Sequence, residues 1–440
     1  VPGTLFLNMQ IDQNSPDVFL ALLWEYDKKL QTEYRLEKYE KMSLSPYNFL
    51  RGTALHFYDF HRERLLQSEF YSVATETFIQ GDLHLSNYGA FLNSAGEIVY
   101  DLNDFDEASI QSYLYDVWRL GSCVLIAGRH NFFTEEELSE LLEETLESYL
   151  DSIENFRKEE AIEFRIQKEN ADGKLDEFLE SVEKKKSRKK MLELWTGISK
   201  GEAKFLSESE KPELQSLSSD LLKQIKEAIE VYCCSLEKEP GERKDYFTVL
   251  DAAQRLGSGI GSYGTNRYYV LIRGERGGDT CRILDIKEQA FPTIYSFLSR
   301  DEQDKFKKMF PIQGKRVIEA EKSILYRADK HLGYIQLNEK SFSVRERSPY
   351  KESLEIEKLD TVKKFEKLVK QWTKILAASH VRGSLPIGNR NFHQELTKLI
   401  DGNHKEFRAE AGRICKDYAE KLFRDYGFFC DNWKKLLQES

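Results

Sequence analysis

The chain has 440 residues, of which 40% are hydrophobic and 32% charged, and this composition excludes a disordered or collagenous protein. The length predicts one large two-lobed unit or two to three domains. The formal net charge of −10 argues against general nucleic-acid binding, because affinity for a phosphate backbone comes from Lys and Arg. No apolar run approaches the length that crosses a bilayer.

The six cysteines are scattered and form no C-x-x-C pair. They therefore predict reduced thiols, and neither a zinc site nor a disulfide framework. With no membrane span and no visible leader, we expect a cytoplasmic protein. The first residue is Val1, which leaves a removed leader, a trimmed segment or export as an effector open.

Hydrophobic spacing predicts an alternation of helical and β-rich stretches along the chain. The predicted helices occupy 11–75, 113–236, 306–326 and 359 to the end, and the predicted strands occupy 75–110, 245–290 and 334–345. Within the first β stretch, 90–93 and 97–102 form a predicted hairpin around a Ser-Ala-Gly turn. The pattern predicts an α+β fold in which a small antiparallel β region lies against a larger helical region. We divide it into residues 1–240, 241–350 and 351–440.

The first chemical cluster is GDLHLSN at residues 81–87 together with NDFDE at 103–107. Two carboxylates and an amide oxygen make a hard-oxygen site, which suits Mg²⁺. A further carboxylate beside that metal can orient an acceptor hydroxyl, as phosphoryl transfer requires. The alternative is that these side chains only cap turns, which Asp and Asn often do.

The second cluster begins with the glycines of residues 257–264, Gly257, Gly259, Gly261 and Gly264. A strand pattern follows them, whereas a dinucleotide-binding fingerprint needs a helix there, and no GKS or GKT of a P-loop is present. A flexible hairpin over nucleotide phosphates and a glycine-rich hairpin without a ligand both stay open. Lys287 ends the strand that follows the GERGGD turn.

Taken together, the first cluster resembles the catalytic and metal-binding loops of kinases of the aminoglycoside and choline kinase branch. The resemblance implies that Asp82 is the catalytic base and that Asn87 and Asp104 hold Mg²⁺. YDVWRL at 115–120 resembles the kinase helix whose Asp, here Asp116, braces the catalytic loop. His84 would give structural support to that loop.

Two positions depart from the kinase pattern. Gln80 stands where kinases usually carry a His before the catalytic loop, and this exchange changes only a scaffold residue. Asp106 replaces the Gly of the Asp-Phe-Gly motif. Its role as a metal ligand, a substrate contact or a turn former stays open.

The second cluster resembles the kinase glycine-rich loop and the lysine that grips the α- and β-phosphates. The resemblance implies that Lys287 pairs with a Glu of the following helix, for which we choose Glu319 and hold Glu321 in reserve. In ordinary kinases this region precedes the catalytic loop, and here it follows. We therefore expect a circularly permuted, protein-kinase-like fold with two lobes, in which the adenine lies near residues 341–345.

The whole arrangement resembles a bacterial family known as domain of unknown function 2252, within the protein-kinase-like superfamily. The resemblance covers residues 45–382, and the Lys- and Glu-rich helices at 155–235 match nothing in it. It implies ATP and Mg²⁺ as cofactors and phosphoryl transfer to an unidentified small-molecule or protein hydroxyl. AMP transfer on the same fold, or a non-catalytic nucleotide-binding scaffold, are the alternatives. Arg51 would either contact substrate phosphate or pair with a carboxylate.

Overall fold

The structure is a computed structural model that describes residues 15–199, 201–236, 245–257, 263–275 and 280–436. It is a mixed α+β protein with small antiparallel sheets, as the sequence predicts. All six cysteines are free thiols. In the described part of the chain, no helix combines the length and the apolar character needed to span a membrane.

Four helices form the N-terminal part, where the sequence predicts them. The third begins after Ser45, whose hydroxyl accepts a hydrogen bond from the backbone amide of Asn48, with Pro46 in its first turn. The four helices are α1 (Pro16–Asp27), α2 (Thr32–Met42), α3 (Pro46–Gly52) and α4 (Ala54–Gln67).

Two short antiparallel pairs hold the loops of the first chemical cluster. β1 (Glu76–Ile79) pairs with β4 (Ser109–Ser112), and β2 (Tyr88–Leu92) pairs with β3 (Ile98–Leu102) as the predicted hairpin. Loop 80–87 follows β1 and loop 103–108 leads into β4, so the two loops meet at the same end of this strand pair. Gly81 lies where the loops touch: at its φ of +86°, an added Cβ would lie 2.2 Å from the carbonyl oxygen of Glu107.

A helical core supports these strands from below. Leu138, Leu141, Leu142 and Leu146 repeat at helical spacing and are all buried, so one face of their helix enters the core. The helices of this region are α5 (Leu114–His130), α6 (Glu135–Asn155), α7 (Lys158–Glu163), α13 (Val362–Ser384), α14 (Phe392–Ile400) and α15 (His404–Leu436).

The stretch that the sequence predicts to be mostly helical up to residue 236 contains three strands that were not predicted. They are short, and the first two expose much of their surface, so no clear alternation of apolar and polar residues marks them. The elements are α8 (Lys174–Lys185), α9 (Arg188–Trp195), β5 (Thr196–Ser199), β6 (Glu202–Phe205), β7 (Leu214–Ser216) and α10 (Ser219–Cys234).

In the described residues, the main sheet has six antiparallel strands in the order β11-β12-β10-β9-β8-β7. β7 is a strand of this sheet and α10 packs against it, so the β-rich unit begins before the boundary predicted at residue 241. Its face with Leu284 and Ile286 packs against Ile225, Ile229 and Tyr232 of α10. The other strands are β8 (Val249–Arg255), β9 (Arg267–Ile272), β10 (Arg282–Glu288), β11 (Gly333–Leu337) and β12 (Lys340–Glu346).

The opposite face of this sheet is polar where it meets the loops. Side chains alternate along a strand, so Asp285 and Lys287 share the face opposite Ile286. Lys287 lies between Arg267 of β9 and Ser343 of β12 in the sheet register. This register directs the lysine toward the first chemical cluster.

One helix predicted at residues 306–326 is in fact two, α11 (Arg300–Met309) and α12 (Gln313–Ile324). Pro311 separates them, because proline has no amide hydrogen to donate within a helix. The second helix packs closely against β12. The amide of Gly314 donates to the Ser341 hydroxyl at 2.7 Å, and an added Cβ on Gly314 would lie 2.5 Å from the carbonyl oxygen of Phe342.

Candidate active site

The loop 80–87 is fixed from below by Asp116. The backbone amides of Gln80 and Gly81 donate to its two carboxylate oxygens at 2.7 and 3.0 Å. The Asp116 carboxylate is buried, and Nε2 of His380 lies 3.4 Å from it. Helix α5 therefore carries a carboxylate that holds the start of this loop, in the position that the sequence predicts for a bracing residue.

Asp82 lies in this loop with its carboxylate against Arg119 of α5. The Arg119 guanidinium pairs with Asp82 Oδ1 and also donates to the carbonyl oxygen of Leu50 at 2.8 Å. Burial raises the pKa of Asp82 to about 6, although Arg119 acts in the opposite direction. Nε2 of His84 lies 3.9 Å from the other carboxylate oxygen. Asp82 is thus held by a buried cation that sequence reasoning did not assign to the site.

Asn87 and Gln80 tie the two loops together. The Asn87 amide group donates to the Asp82 carbonyl oxygen at 2.9 Å. The Gln80 side chain donates to the Asp104 carbonyl oxygen at 2.6 Å. Asp104 has a φ of +59°, in the left-handed region that costs a non-glycine residue energy. Gln80, the departure from the kinase pattern, therefore acts as a bridge that holds Asp104 in place.

Lys287 reaches this second loop from the main sheet. Its Nζ lies 3.2 Å from Asp104 Oδ1 and also pairs with Asp106 Oδ2. Burial lowers the pKa of Lys287, but Asp104 and Asp106 raise it by more, so the lysine stays charged. Gln289 donates to the other oxygen of Asp106 at 2.8 Å. The meeting of the two distant segments, which the sequence predicts, is present in the structure.

The predicted pair between Lys287 and Glu319 is not formed, and this prediction is wrong. Glu319 lies on the outer face of α12, half exposed, and pairs with Lys315 at 3.4 Å. Residues two apart on a helix point to different sides, and Glu321 is the one that faces inward. It lies 3.8 Å from Arg345, and burial raises its pKa to about 7. Among the described residues, the carboxylates that pair with Lys287 are those of Asp104 and Asp106.

The glycine-rich segment is described only at its two ends. Gly257 and Gly264 both have positive φ, +64° and +79°. Gly259 and Gly261 lie outside the described residues. An added Cβ on Gly264 would lie 3.0 Å from Leu30, so the end of the segment approaches the N-terminal helices.

A cavity of about 120 Å³ joins the predicted catalytic and metal-binding residues. Among the described residues, no carboxylate pairs with Arg51 in its wall, and the Arg51 Nε is buried without a hydrogen-bond partner. Lys38, in the same wall, is neutralised by Asp27 at 2.7 Å. The lining includes Arg51, Asp82, His84, Asn87, Asp104, Asp106 and Glu107. The hard oxygen donors of this lining fit Mg²⁺, and Arg51 adds a positive charge that forms no ion pair with a carboxylate of the described residues.

The region where the adenine is predicted opens on a second, larger cavity. It has a volume of about 360 Å³, and Arg345 lines it. Charged side chains make up half of its 26 lining residues, a larger share than is typical of small-molecule pockets. The predicted place for an uncharged base is therefore lined by many charges as well as by apolar groups.

Arg316 is a further residue that sequence reasoning left without a role. It is fully buried in α12 and donates to the carbonyl oxygens of Asp106 at 2.8 Å, Ala290 at 3.0 Å and Ala108. It thereby ties α12 to the loop that carries Asp106. Only its place in the RVIE stretch of the family resemblance pointed to it, because no sequence pattern distinguishes a buried arginine from an exposed one.

Comparison with known proteins gives one match. The family model described as "Uncharacterized protein conserved in bacteria (DUF2252)" matches residues 31–432. No curated protein and no solved structure matches the chain.

Proposed function

The chain belongs to the DUF2252 family, and we propose that it transfers the γ-phosphoryl group of Mg-ATP to a hydroxyl group of an acceptor. One observation carries the proposal. Lys287 from the sheet contacts Asp104 and Asp106, next to the loop that holds Asp82. A cation for phosphate, oxygen ligands for a metal and a carboxylate for the acceptor are the parts that phosphoryl transfer needs.

Each residue has one task in this proposal. Lys287 binds phosphate oxygens, and Asp104, Asn87 and Asp106 provide the oxygen ligands of Mg²⁺. The metal, when bound, neutralises charge on the phosphates. Asp82 accepts the proton of the acceptor hydroxyl as its oxygen bonds to the γ-phosphorus. The bond from that phosphorus to the bridging oxygen breaks, and ADP leaves.

The proposal includes a kinase-like fold with its two parts in permuted order. Its support is the neighbourhood of α13 and β1. The Thr77 hydroxyl of β1 donates to the carbonyl oxygen of His380 near the end of α13, at 2.7 Å, although 303 positions separate them in the chain. In the usual kinase order, the equivalent helix leads directly into the catalytic loop. Proximity of this kind is what a permutation requires.

AMP transfer is a second candidate, favoured by the charged cavity next to Asp104. If the phosphate chain extends into that cavity, the α-phosphate lies nearest the metal ligands. The acceptor oxygen then bonds to the α-phosphorus, and pyrophosphate leaves. The two candidate functions therefore differ in whether the phosphate chain enters this larger cavity, and not in the residues that line the smaller one.

The test uses ATP labelled at either the α- or the γ-phosphate, with Mg²⁺ and a bacterial extract as the source of acceptors. We expect label transfer from γ-labelled ATP by the wild type and its loss in Asp82→Asn. Asp304→Asn removes an exposed carboxylate of α11 and is the matched control. Transfer from α-labelled ATP alone would establish the second candidate. Equal label with wild type and Asp82→Asn would refute both.

A further inference from the structure

The larger cavity has an excess of positive charge. Eight Lys or Arg side chains and five Asp or Glu side chains line it, a surplus of three positive charges, within a volume of about 360 Å³. We infer that this cavity binds a chain of phosphate groups. The inference stands on the lining of the cavity and does not depend on the proposed catalytic activity.

Half of the cations in this cavity are already neutralised. Arg188 and Arg282 share Glu346, and Arg267 forms a two-pronged pair with Asp285 at 2.5 and 2.7 Å. The remaining paired cation, Arg345, lies 3.8 Å from both Asp285 and Glu321. These pairs form a rigid wall, because each carboxylate fixes the orientation of the cation that contacts it.

The other four cations have no carboxylate partner within the described ranges of the chain. They are Arg255, Lys330, Arg347 and Lys351.

Two of these four, Arg255 and Arg347, are nevertheless held in place. The guanidinium of Arg347 lies 4.9 Å from the centre of the Trp195 ring, and its Nε donates to the Tyr269 hydroxyl at 3.3 Å. The guanidinium of Arg255 lies 5.4 Å from the centre of the same tryptophan ring, and its Nε is buried without a hydrogen-bond partner. Stacked arginines without a counterion are preorganised donors for phosphate, which they contact through two N–H groups at once.

The remaining lining adds to the positive character. Nδ1 of His331 lies 3.0 Å from Oδ1 of Asp329. Burial lowers the pKa of His331, but Asp329 raises it by more. Burial raises the pKa of Glu321 to about 7 and lowers the pKa of Lys351 to about 7, so both side chains are only partly charged at neutral pH and the surplus of about three positive charges is unchanged. An uncharged ring would leave the four free cations unpaired, whereas a phosphate chain would neutralise them.

The cavity adjoins the proposed catalytic site. Asn103 lines it, and the next residue, Asp104, contacts Lys287. Arg188, at the start of α9, also lines it, so the segment at 155–235, to which the sequence assigned no role, helps to form its wall. A phosphate chain in this cavity therefore ends near Asp104, and it can belong to a nucleotide or to a free polyphosphate.

The experiment is calorimetric titration of the full chain with inorganic tripolyphosphate, without Mg²⁺. We expect one binding site in the wild type and roughly tenfold or greater weakening in Lys330→Gln/Lys351→Gln, since each variant position loses a charged partner. The matched control, Lys189→Gln/Lys322→Gln, removes two exposed lysines outside the cavity and should bind as the wild type does. Absence of binding to the wild type, or equal affinity in both double variants, would overturn the inference.

Two further arms separate the outcomes. Asp104→Asn should retain tripolyphosphate binding, because Asp104 does not line this cavity. Tripolyphosphate binding by the wild type, together with no label transfer by the wild type, would refute the proposed activity and leave this inference intact. Competition with ATP identifies the source of the phosphates. Displacement of tripolyphosphate by ATP assigns the cavity to the phosphate chain of a nucleotide, and simultaneous binding assigns it to a separate polyphosphate ligand. Both results support phosphate binding.

Discussion

Replacing Lys287 by Met tests the meeting of sheet and loop directly. The lysine is buried, and its ammonium group contacts Asp104 and Asp106, where the proposed nucleotide phosphates would lie. A hydrogen bond from a charged donor contributes about 1.5–3 kcal/mol. We therefore expect the Kd for Mg-ATP, measured by calorimetry, to rise about tenfold to a hundredfold. Met matches the aliphatic part of the lysine side chain and lacks only its ammonium group, so packing against the sheet changes little.

The same substitution should cost little stability without ligand. The Asp104 and Asp106 side chains are 48% and 28% exposed, so water screens the two carboxylates that lose their cation. We expect a loss of about 1 kcal/mol in urea unfolding. Lys340→Met is the control, since Lys340 lies on the adjacent strand and pairs with Glu288 at 3.0 Å outside the cavity. Equal Mg-ATP affinity in Lys287→Met, Lys340→Met and the wild type would refute the assignment of Lys287.

Two other predictions concern the loops and their surroundings. Gly81→Ala places a Cβ 2.2 Å from the backbone of Glu107 at positive φ, and should cost about 3 kcal/mol or more in urea unfolding. The control Gly96→Ala, at φ +79° in open space, should cost only about 1 kcal/mol. Similar losses of stability in both variants would contradict the close contact at Gly81. Burial raises the pKa of Asp101 to about 6 despite Arg382, so the folded state holds a proton that the unfolded state releases. The free energy of unfolding therefore falls as pH rises from about 4 to 6, and Asp101→Asn should remove about 3 kcal/mol of that fall. If the free energy of unfolding depends on pH in the same way in both proteins, the pKa of Asp101 is not raised.

The sequence could predict where the motif residues lie locally, because the motifs are at strand ends. GDLHLSN follows β1, NDFDE follows β3, and Lys287 lies near the end of β10. A strand fixes the direction of its side chains by simple alternation, so the side of the sheet on which Lys287 lies follows from the apolar face at Ile286. These short-range patterns thus fix strand ends and side-chain faces, whereas the meeting of the two distant segments was expected from the resemblance to kinases.

The prediction of Glu319 failed because a helical pattern, unlike the alternation of a strand, does not tell which of two nearby side chains faces the sheet. Both glutamates of α12 fit a helical pattern, and the rotation of the helix against the sheet decides which one turns inward. The anchor of that rotation is Arg316, whose partners at residues 106–108 and 290 are distant in the chain. The break at Pro311, in contrast, had a local signal, since proline rarely continues a helix.

The strands β5 to β7 were missed for a different reason. Their side chains are mostly polar and partly exposed, so the segment has the composition of a charged helix or loop. Strand pairing makes them strands: β5 and β6 pair with each other, and β7 pairs with β8, where Leu214 is buried opposite Arg255. Tertiary pairing here overrides local propensity.

Buried charges, and not only apolar packing, position the candidate site. Asp116 and Arg119 of one helix hold the loop of Asp82, and Arg316 of another holds the loop of Asp106. The amide of Gly314 on that second helix also donates to Ser341 of β12, next to the strand that carries Lys287. The sheet and the loop of Asp106 are therefore tied to the same helix. A displacement of α12 must therefore change both the position of Asp106 and the position of the sheet. This helix fixes the position of Lys287 relative to the loop of Asp106.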